Sequence, residues 1–326
     1  MLSRACPSSA GTKLDTISTM NPVVLYFASG ESLYSGAALL SLATVLSPFV
    51  KSRWALLSRN VAAWLSFVFI IMACPPFSWV ADVAFFLSFA VWYLVSNLTS
   101  PRWSWPKLQL ASAAISISIV LVLAGSELPH RRMPSIVGVP DDHLLVLGDS
   151  VSSGIDARVP AWPAVLEEMT GVPVKNLARS GARTIDGLEM ARGITSADHV
   201  ILIEIGGNDL LSDVRSKEFG EALDRLLSAV SAPGRTVVMF ELPLLPNKIT
   251  YGRIQRRLAA KYGVQLIPKR YLVDVIGGAN ATSDGIHLSE AGAHRMARLV
   301  AWAFSAMLHP PPKSISSCCH TDARQT

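Results

Sequence analysis

Two hydrophobic patterns divide this chain, and the change between them falls near residue 126. Before it, apolar residues run on without a period in four blocks, 33–50, 61–74, 77–98 and 108–125. A helix needs about 20 consecutive apolar residues to cross the hydrocarbon core of a bilayer. The second block reaches that length only by starting near Trp54, with Arg59 placed in the interface, where long cationic side chains snorkel. The pattern therefore predicts four membrane helices at about 33–50, 54–74, 77–98 and 108–125. Three is the alternative, because a run of 14 also suits a buried helix of a soluble protein. Six of the eight tryptophans, Trp54, Trp64, Trp79, Trp92, Trp103 and Trp105, fall near run ends or in loops, as in the aromatic belts of membrane proteins.

After residue 142 short apolar runs alternate with amphipathic stretches. The runs are LLVLG (144–148), VPVKNLA (172–178), HVILIEIG (199–206), TVVMFELP (236–243) and VQLIP (264–268). Continuous rather than alternating apolarity marks strands buried on both faces. Helices are predicted near 161–169, 217–230, 251–262 and 288–308. Strand and helix in alternation give an α/β domain with a parallel sheet covered on both sides, whose ligands bind at the carboxyl ends of the strands. The expected division is an N-terminal tail (1–32), membrane helices (33–126), a linker (127–141), the α/β domain (142–309) and a disordered tail (310–326).

Composition sharpens this division. The chain has 326 residues, 50% of them hydrophobic and 16% charged, with a mean hydropathy of +0.37. These values exclude a disordered chain and an ordinary soluble globule. Residues 33–126 carry six charges, Lys51, Arg53, Arg59, Asp82, Arg102 and Lys107. From residue 127 onward, 22 Lys+Arg face 21 Asp+Glu, so the pI of 9.1 is no nucleic-acid footprint and no nucleic-acid partner is expected. The soluble part is long enough to bury one core.

Lys and Arg also set orientation. The first inter-helix loop holds Lys51, Arg53 and Arg59, the third holds Arg102 and Lys107, and the second, around Pro75 and Pro76, has none. The first and third loops should face the cytoplasm, which puts both the N-terminus and the α/β domain on the extracytoplasmic face of the plasma membrane. Arg131 and Arg132 oppose that orientation. Residues 1–20 lack the apolar stretch of a signal peptide and read as a tail, or as sequence upstream of a start at Met20. Asp82, the one acid inside a span, is expected near the outer end of its helix, with a proton or ligand site as the alternative. Cys6, Cys74, Cys318 and Cys319 make neither a disulfide framework nor a metal set.

The residues able to do chemistry fall at the predicted strand ends. The first strand runs into Gly148, Asp149 and Ser150, and the third ends in Gly206, Gly207, Asn208 and Asp209. Ser283, Asp284, Gly285, Ile286 and His287 precede the last helix. A serine becomes a nucleophile when a histidine takes its proton, and an acid fixes the tautomer of that histidine. Asp284 and His287, three apart on one turn, can converge as such a pair. The oxyanion then needs donors, for which the candidates are the backbone N–H of Ser150, that of Gly181 and the side-chain amide of Asn208. Each piece alone is weak; the force lies in their order along the chain.

This arrangement resembles the SGNH hydrolase superfamily, also called GDSL esterases and lipases. LLVLGDSVSSG resembles its block I with Ser150 as nucleophile, and NLARSGART resembles block II with Gly181. IEIGGNDLL is similar to block III with Asn208, and SDGIHLSEAG to block V with Asp284 and His287. The resemblance covers about residues 142–308 and implies a three-layer α/β/α, flavodoxin-like fold. It leaves Asp149, Gly154 and Asp209 as structural, and Arg179 and Arg183 as solvated flanks of Gly181 rather than contacts to an anionic substrate. The sequence G-D-S-V lacks the second glycine of the α/β-hydrolase elbow.

The resemblance implies a serine ester hydrolase acting on an acylated small molecule, lipid or polysaccharide. The apolar runs make it membrane-anchored, and with no ligand cluster or phosphate loop in the sequence no metal and no organic cofactor are expected. Two alternatives stand beside it: an acyltransferase, in which a sugar or lipid hydroxyl replaces water, and a non-catalytic binding module on a membrane scaffold. The few polar residues inside the spans leave little for a transport role.

Overall fold

The structure, a computed structural model, describes residues 21–50, 52–98, 106–136, 143–156 and 158–308. Cys6, Met20, Arg102, Trp103, Trp105, Cys318, Cys319 and the expected tail at 310–326 lie outside the described residues.

The N-terminal part begins with a short helix, α1 (Pro22–Ala28), inside the segment expected as a tail. Its signal is local: the side chain of Asn21 accepts the N–H of Val23 at 2.9 Å, and Pro22 opens the helix, the residue types that suit those two positions. Then come α2 (Ser32–Leu46), extended by a 3-10 turn at Ser47–Phe49, α3 (Arg53–Met72), α4 (Trp79–Leu98) and α5 (Pro106–Glu127). These four are long and apolar enough to cross a membrane. They match the four predicted runs to within a few residues.

Close approach of α2 and α3 depends on Gly36, where an added Cβ would stand 2.9 Å from the carbonyl oxygen of Ser66. Small residues at such crossings let backbones touch and gain dispersion contacts that lipid tails do not replace. Between α4 and α5, Ser116 Oγ donates to the carbonyl of Ser88 at 2.8 Å. Trp64, Phe67, Phe85, Phe89 and Tyr93 pack ring against ring between α3 and α4. Arg59 reaches the end of α4. It is buried, donating to Asn60 Oδ1, Asn97 Oδ1 and the Ser96 carbonyl, because the last turn of α4 offers acceptors that its own helix leaves unpaired.

The second part alternates strands and helices: β1 (Leu144–Gly148), α6 (Ser150–Ser153), α7 (Trp162–Thr170), β2 (Val174–Asn176), α8 (Gly187–Met190), β3 (Val200–Glu204), α9 (Gly207–Leu211), α10 (Ser216–Val230), β4 (Thr236–Phe240), α11 (Ile249–Tyr262), β5 (Gln265–Ile267), α12 (Lys269–Ile276), α13 (Glu290–Ala303) and α14 (Ser305–Leu308). The strands form one parallel sheet in the order β2-β1-β3-β4-β5, the flavodoxin-like order with its switch point at β1 and β3.

Alternate residues of each strand feed opposite cores, as a period of two requires. Leu145, Leu147, Ile201 and Ile203 pack with Phe219, Leu223 and Leu226 of α10. Leu144, Val146 and Leu202 pack with Trp162 and Leu166 of α7 and with Met296 and Val300 of α13. The stretch predicted as one helix over 288–308 is broken at Phe304, and α12, eight residues long, was not predicted.

The sheet domain stands on one end of the helix bundle. The Arg256 guanidinium donates to both carboxylate oxygens of Glu127 at 2.6 and 2.9 Å and to Glu241 at 2.6 Å. Lys269 Nζ donates to the Ala73 carbonyl at 3.1 Å. Arg253 pairs with Asp82 and donates to the Phe77 carbonyl. Asp82, in the first turn of α4, thus binds the sheet domain. Arg131 pairs with Glu31 and lies over the Tyr34 ring.

Candidate active site

The carboxyl end of β1 delivers Ser150 as the first residue of α6. Asp149 caps that turn by accepting the N–H of Val151 at 3.0 Å, while its own N–H donates to the Glu204 carbonyl at 3.1 Å and so continues the β1–β3 ladder. Beneath the turn, Ser152 Oγ donates to Glu204 Oε2 at 2.8 Å and accepts Trp162 Nε1 at 3.1 Å. The loop that carries Ser150 is thereby held from below by a side chain of the neighbouring strand.

After β2 the chain turns through Arg179, whose N–H donates to the Gly148 carbonyl at 3.1 Å. Gly181 then adopts φ +75° with open space where a Cβ would stand. A residue with a Cβ reaches that conformation only at a cost. The N–H groups of Ser150 and Gly181 have no acceptor among the described residues.

At the end of β3, Gly206 at φ +112° reverses the chain into α9. Asn208 Nδ2 donates to the Ala182 carbonyl at 2.8 Å and lies 3.4 Å from Asp149 Oδ2. Asp209, buried, accepts the N–H and hydroxyl of Thr184 at 2.8 and 3.1 Å. Asn208 and Asp209 therefore tie the Gly181 loop to the β3 turn.

The loop before α13 supplies the remaining pair. Asp284 Oδ1 accepts the N–H groups of Ile286 and His287 at 3.0 and 2.9 Å, which orients the carboxylate. His287 Nδ1 donates to Asp284 Oδ2 at 2.6 Å. Since a carboxylate only accepts, Nδ1 carries the hydrogen and Nε2 is left as a proton acceptor. Ser150 and His287 line one cleft of about 200 Å³, walled by Val151, Ile155, Val159 and Leu288.

Electrostatics divide the acids into two kinds. Hydrogen bonds from the His287 side chain and backbone hold Asp284 down to about 2, so it stays an anion. Burial instead raises Asp149 to about 6. Burial, with the charge of Asp149 next to it, raises Glu204 well above the usual carboxylate range. Asp209 is also raised by burial. An acid desolvated beside a second acid keeps its proton.

Ser150, Gly181, Asn208, Asp284 and His287 all lie in loops at this edge of the sheet. Arg179 pairs with Glu189 at 3.1 Å in an exposed contact, and Arg183 uses its backbone N–H to bind Asp186. Glu204 and Trp162 were missed. The available signal was an acid closing a strand that is otherwise VILI. Among the described residues no group of three or more His, Cys, Asp or Glu is arranged to hold a metal ion.

Comparison with known proteins places this chain among related sequences. The family described as GDSL-like Lipase/Acylhydrolase matches residues 146–295, a span that begins after the last apolar helix. An arylesterase of Vibrio mimicus is 33% identical over 143 residues, covering 39% of this chain and 70% of that protein. The thioesterase 1/protease 1/lysophospholipase L1 of Escherichia coli is 30% identical over 140 residues, covering 39% and 66%. Esterase TesA of Pseudomonas aeruginosa is 27% identical over 169 residues, covering 47% and 83%. The crystal structure of TesA aligns with a TM-score of 0.44 at 26% identity, over 51% of this chain and 99% of that one.

Proposed function

The chain belongs to the GDSL-like lipase/acylhydrolase family, and from that premise we propose that it is a membrane-anchored serine ester hydrolase with Ser150, His287 and Asp284 as its catalytic residues. The observation that carries this reading is the bond from His287 Nδ1 to Asp284 in a histidine that shares its cleft with Ser150. Ser150 Oγ attacks the acyl carbonyl and its proton passes to His287 Nε2. The charge on the carbonyl oxygen meets the N–H of Ser150, the N–H of Gly181 and the amide of Asn208. His287 then protonates the leaving alcohol or thiol, the acyl group stays on Ser150, and a water deprotonated by His287 releases it as a carboxylic acid. The two backbone donors suit the oxyanion because neither is spent on another acceptor among the described residues, and a preorganised donor acts without reorganising.

The four apolar helices support a multi-pass anchor. We place the hydrolase domain on the extracytoplasmic face of the plasma membrane. The Lys/Arg bias of the first inter-helix loop, Lys51 and Arg53, against the uncharged second loop around Pro75 and Pro76 supports this placement.

The test is labelling of membranes containing the full chain with a fluorophosphonate, beside Ser150→Ala. Labelling is expected in the parent and absent in the variant. Equal labelling of both, or none in a folded parent, overturns the assignment of Ser150.

A further inference from the structure

The edge of the sheet that carries the site is the edge that meets the membrane helices. Glu241 follows β4 directly and binds Arg256, whose other partner is Glu127 at the end of α5. Lys269, just after β5, reaches the Ala73 carbonyl at the end of α3. Arg253 and Gly252, in the first turn of α11 after β4, meet Asp82 and Pro76 at the turn between α3 and α4. Every one of these contacts lies at the carboxyl ends of β4 and β5. Ser150 follows β1, two strands from β4 in the sheet, which at about 4.8 Å per strand is a lateral offset of about 10 Å. The cleft therefore opens on the edge of the sheet that meets the bundle, displaced to one side of the contacts between them.

The exposed apolar side chains of the domain fall on the same edge. Among the described residues from 143 to 308, seven large hydrophobic residues are exposed, and five of them sit in the segments that leave carboxyl strand ends or precede α13: Ile155, Ile185, Leu211, Leu245 and Ile286. Leu211 is 62% exposed and Ile155, also a wall of the cleft, 51%. Single exposed leucines need no explanation, whereas apolar residues gathered round one opening mark a contact surface. Water-facing loops at that edge would give them no partner.

We infer that these five side chains form a rim that dips into the interfacial layer of the bilayer holding α2–α5, and that Ser150 acts on acyl lipids of that leaflet. The inference rests on the hydrolase reading above for its chemistry. The lipid enters from the side with its acyl chain along Ile155, Val151 and Val159. Its ester C–O bond breaks as the acyl carbon bonds to Ser150 Oγ, the alcohol leaves with the proton that His287 took from Ser150, and water then releases the acyl group as a fatty acid. Fixing the height of the cleft by spanning helices replaces the reversible membrane binding that a soluble lipase needs.

Two readouts test this on the full chain in phospholipid vesicles. In a background of Cys6→Ser, Cys318→Ser and Cys319→Ser, a fluorophore on Leu211→Cys is compared with one on Met169→Cys, at the opposite edge of the sheet where α7 ends before β2. Brominated lipids are expected to quench the Leu211 label and to spare the Met169 label; equal quenching overturns the rim. Hydrolysis of a monoacyl glycerophospholipid in the vesicles is compared with that of p-nitrophenyl acetate in the water, for the parent and for Ile185→Asp with Leu211→Asp. The ratio of lipid to soluble rate is expected to fall at least tenfold in the variant, and an unchanged ratio overturns the inference. A parent that cleaves neither ester refutes the hydrolase reading, and the quenching comparison alone still decides whether the rim touches lipid.

Discussion

Asp284 and Glu204 show what surroundings do to one functional group. Asp284 is half exposed, accepts three hydrogen bonds and is held down to about 2. It therefore remains an anion at every pH where the enzyme would work. Asp284→Asn keeps the shape but lets the amide stabilise the wrong tautomer of His287. The expected result is a fall in kcat of about 10³–10⁴-fold with a thermal midpoint close to the parent's near neutral pH, checked by steady-state kinetics beside a melting curve. Glu204 is the reverse case, a buried carboxyl that burial and the neighbouring charge of Asp149 push well above the usual carboxylate range. As pH rises the unfolded chain releases the Glu204 proton first, so the contribution of Glu204 to stability is highest below its ordinary range and falls as pH rises toward its raised folded value. Glu204→Gln mimics the protonated form: its oxygen can still accept Ser152 and its nitrogen can donate to Asp149. We expect the midpoint of the parent relative to Glu204→Gln to decline as pH rises above the ordinary glutamate range. A constant difference there would show that burial does not raise Glu204.

At the scale of elements, the site depends on three loops held in register, and Asp209 is the clearest link. Replacing it by Ala leaves the N–H and hydroxyl of Thr184 buried without a partner, at a cost of about 1–3 kcal/mol. It also frees the loop that presents Gly181. Because an oxyanion donor acts in the transition state more than on bound substrate, Asp209→Ala is expected to lower kcat about tenfold or more while KM changes less, measured with a soluble ester. The site was legible in the sequence because each part is a contiguous motif at a strand end, where a continuous apolar run stops at glycine. The sheet was legible for the same reason: LLVLG, VILIE and TVVMF are buried on both faces. Short edge elements were not. VPVKNLA yields only three paired residues in β2, and α12 is too short to display a helical period. Glu204 escaped notice because its meaning lies in Ser152 and Asp149, more than 50 positions away.

On the scale of the whole molecule, the contacts between bundle and sheet domain could not be read from the sequence at all, since Arg256 and Glu127 lie 129 residues apart. Arg256 binds two acids there, and Glu241 is only 2% exposed along its side chain. A buried ion pair adds little beyond well-packed apolar residues, but removing one member leaves the other charged and desolvated, at about 3–5 kcal/mol. Arg256 removes two partners at once. Arg256→Ala is therefore expected to lower the melting temperature of the full chain in detergent and to expose the junction to protease. Buried Lys269 faces the same two acids, and its backbone N–H donates to Glu241 at 3.2 Å. The quadruple replacement Arg256→Met, Glu127→Leu, Glu241→Leu and Lys269→Met should therefore recover most of the loss, because no charge of the cluster is then left unpaired. If Arg256→Ala melts with the parent, the cluster does not hold the domain to its anchor. If the quadruple variant is the less stable of the two, the charges themselves, rather than the avoidance of stranded ones, hold the hydrolase domain against the helix bundle.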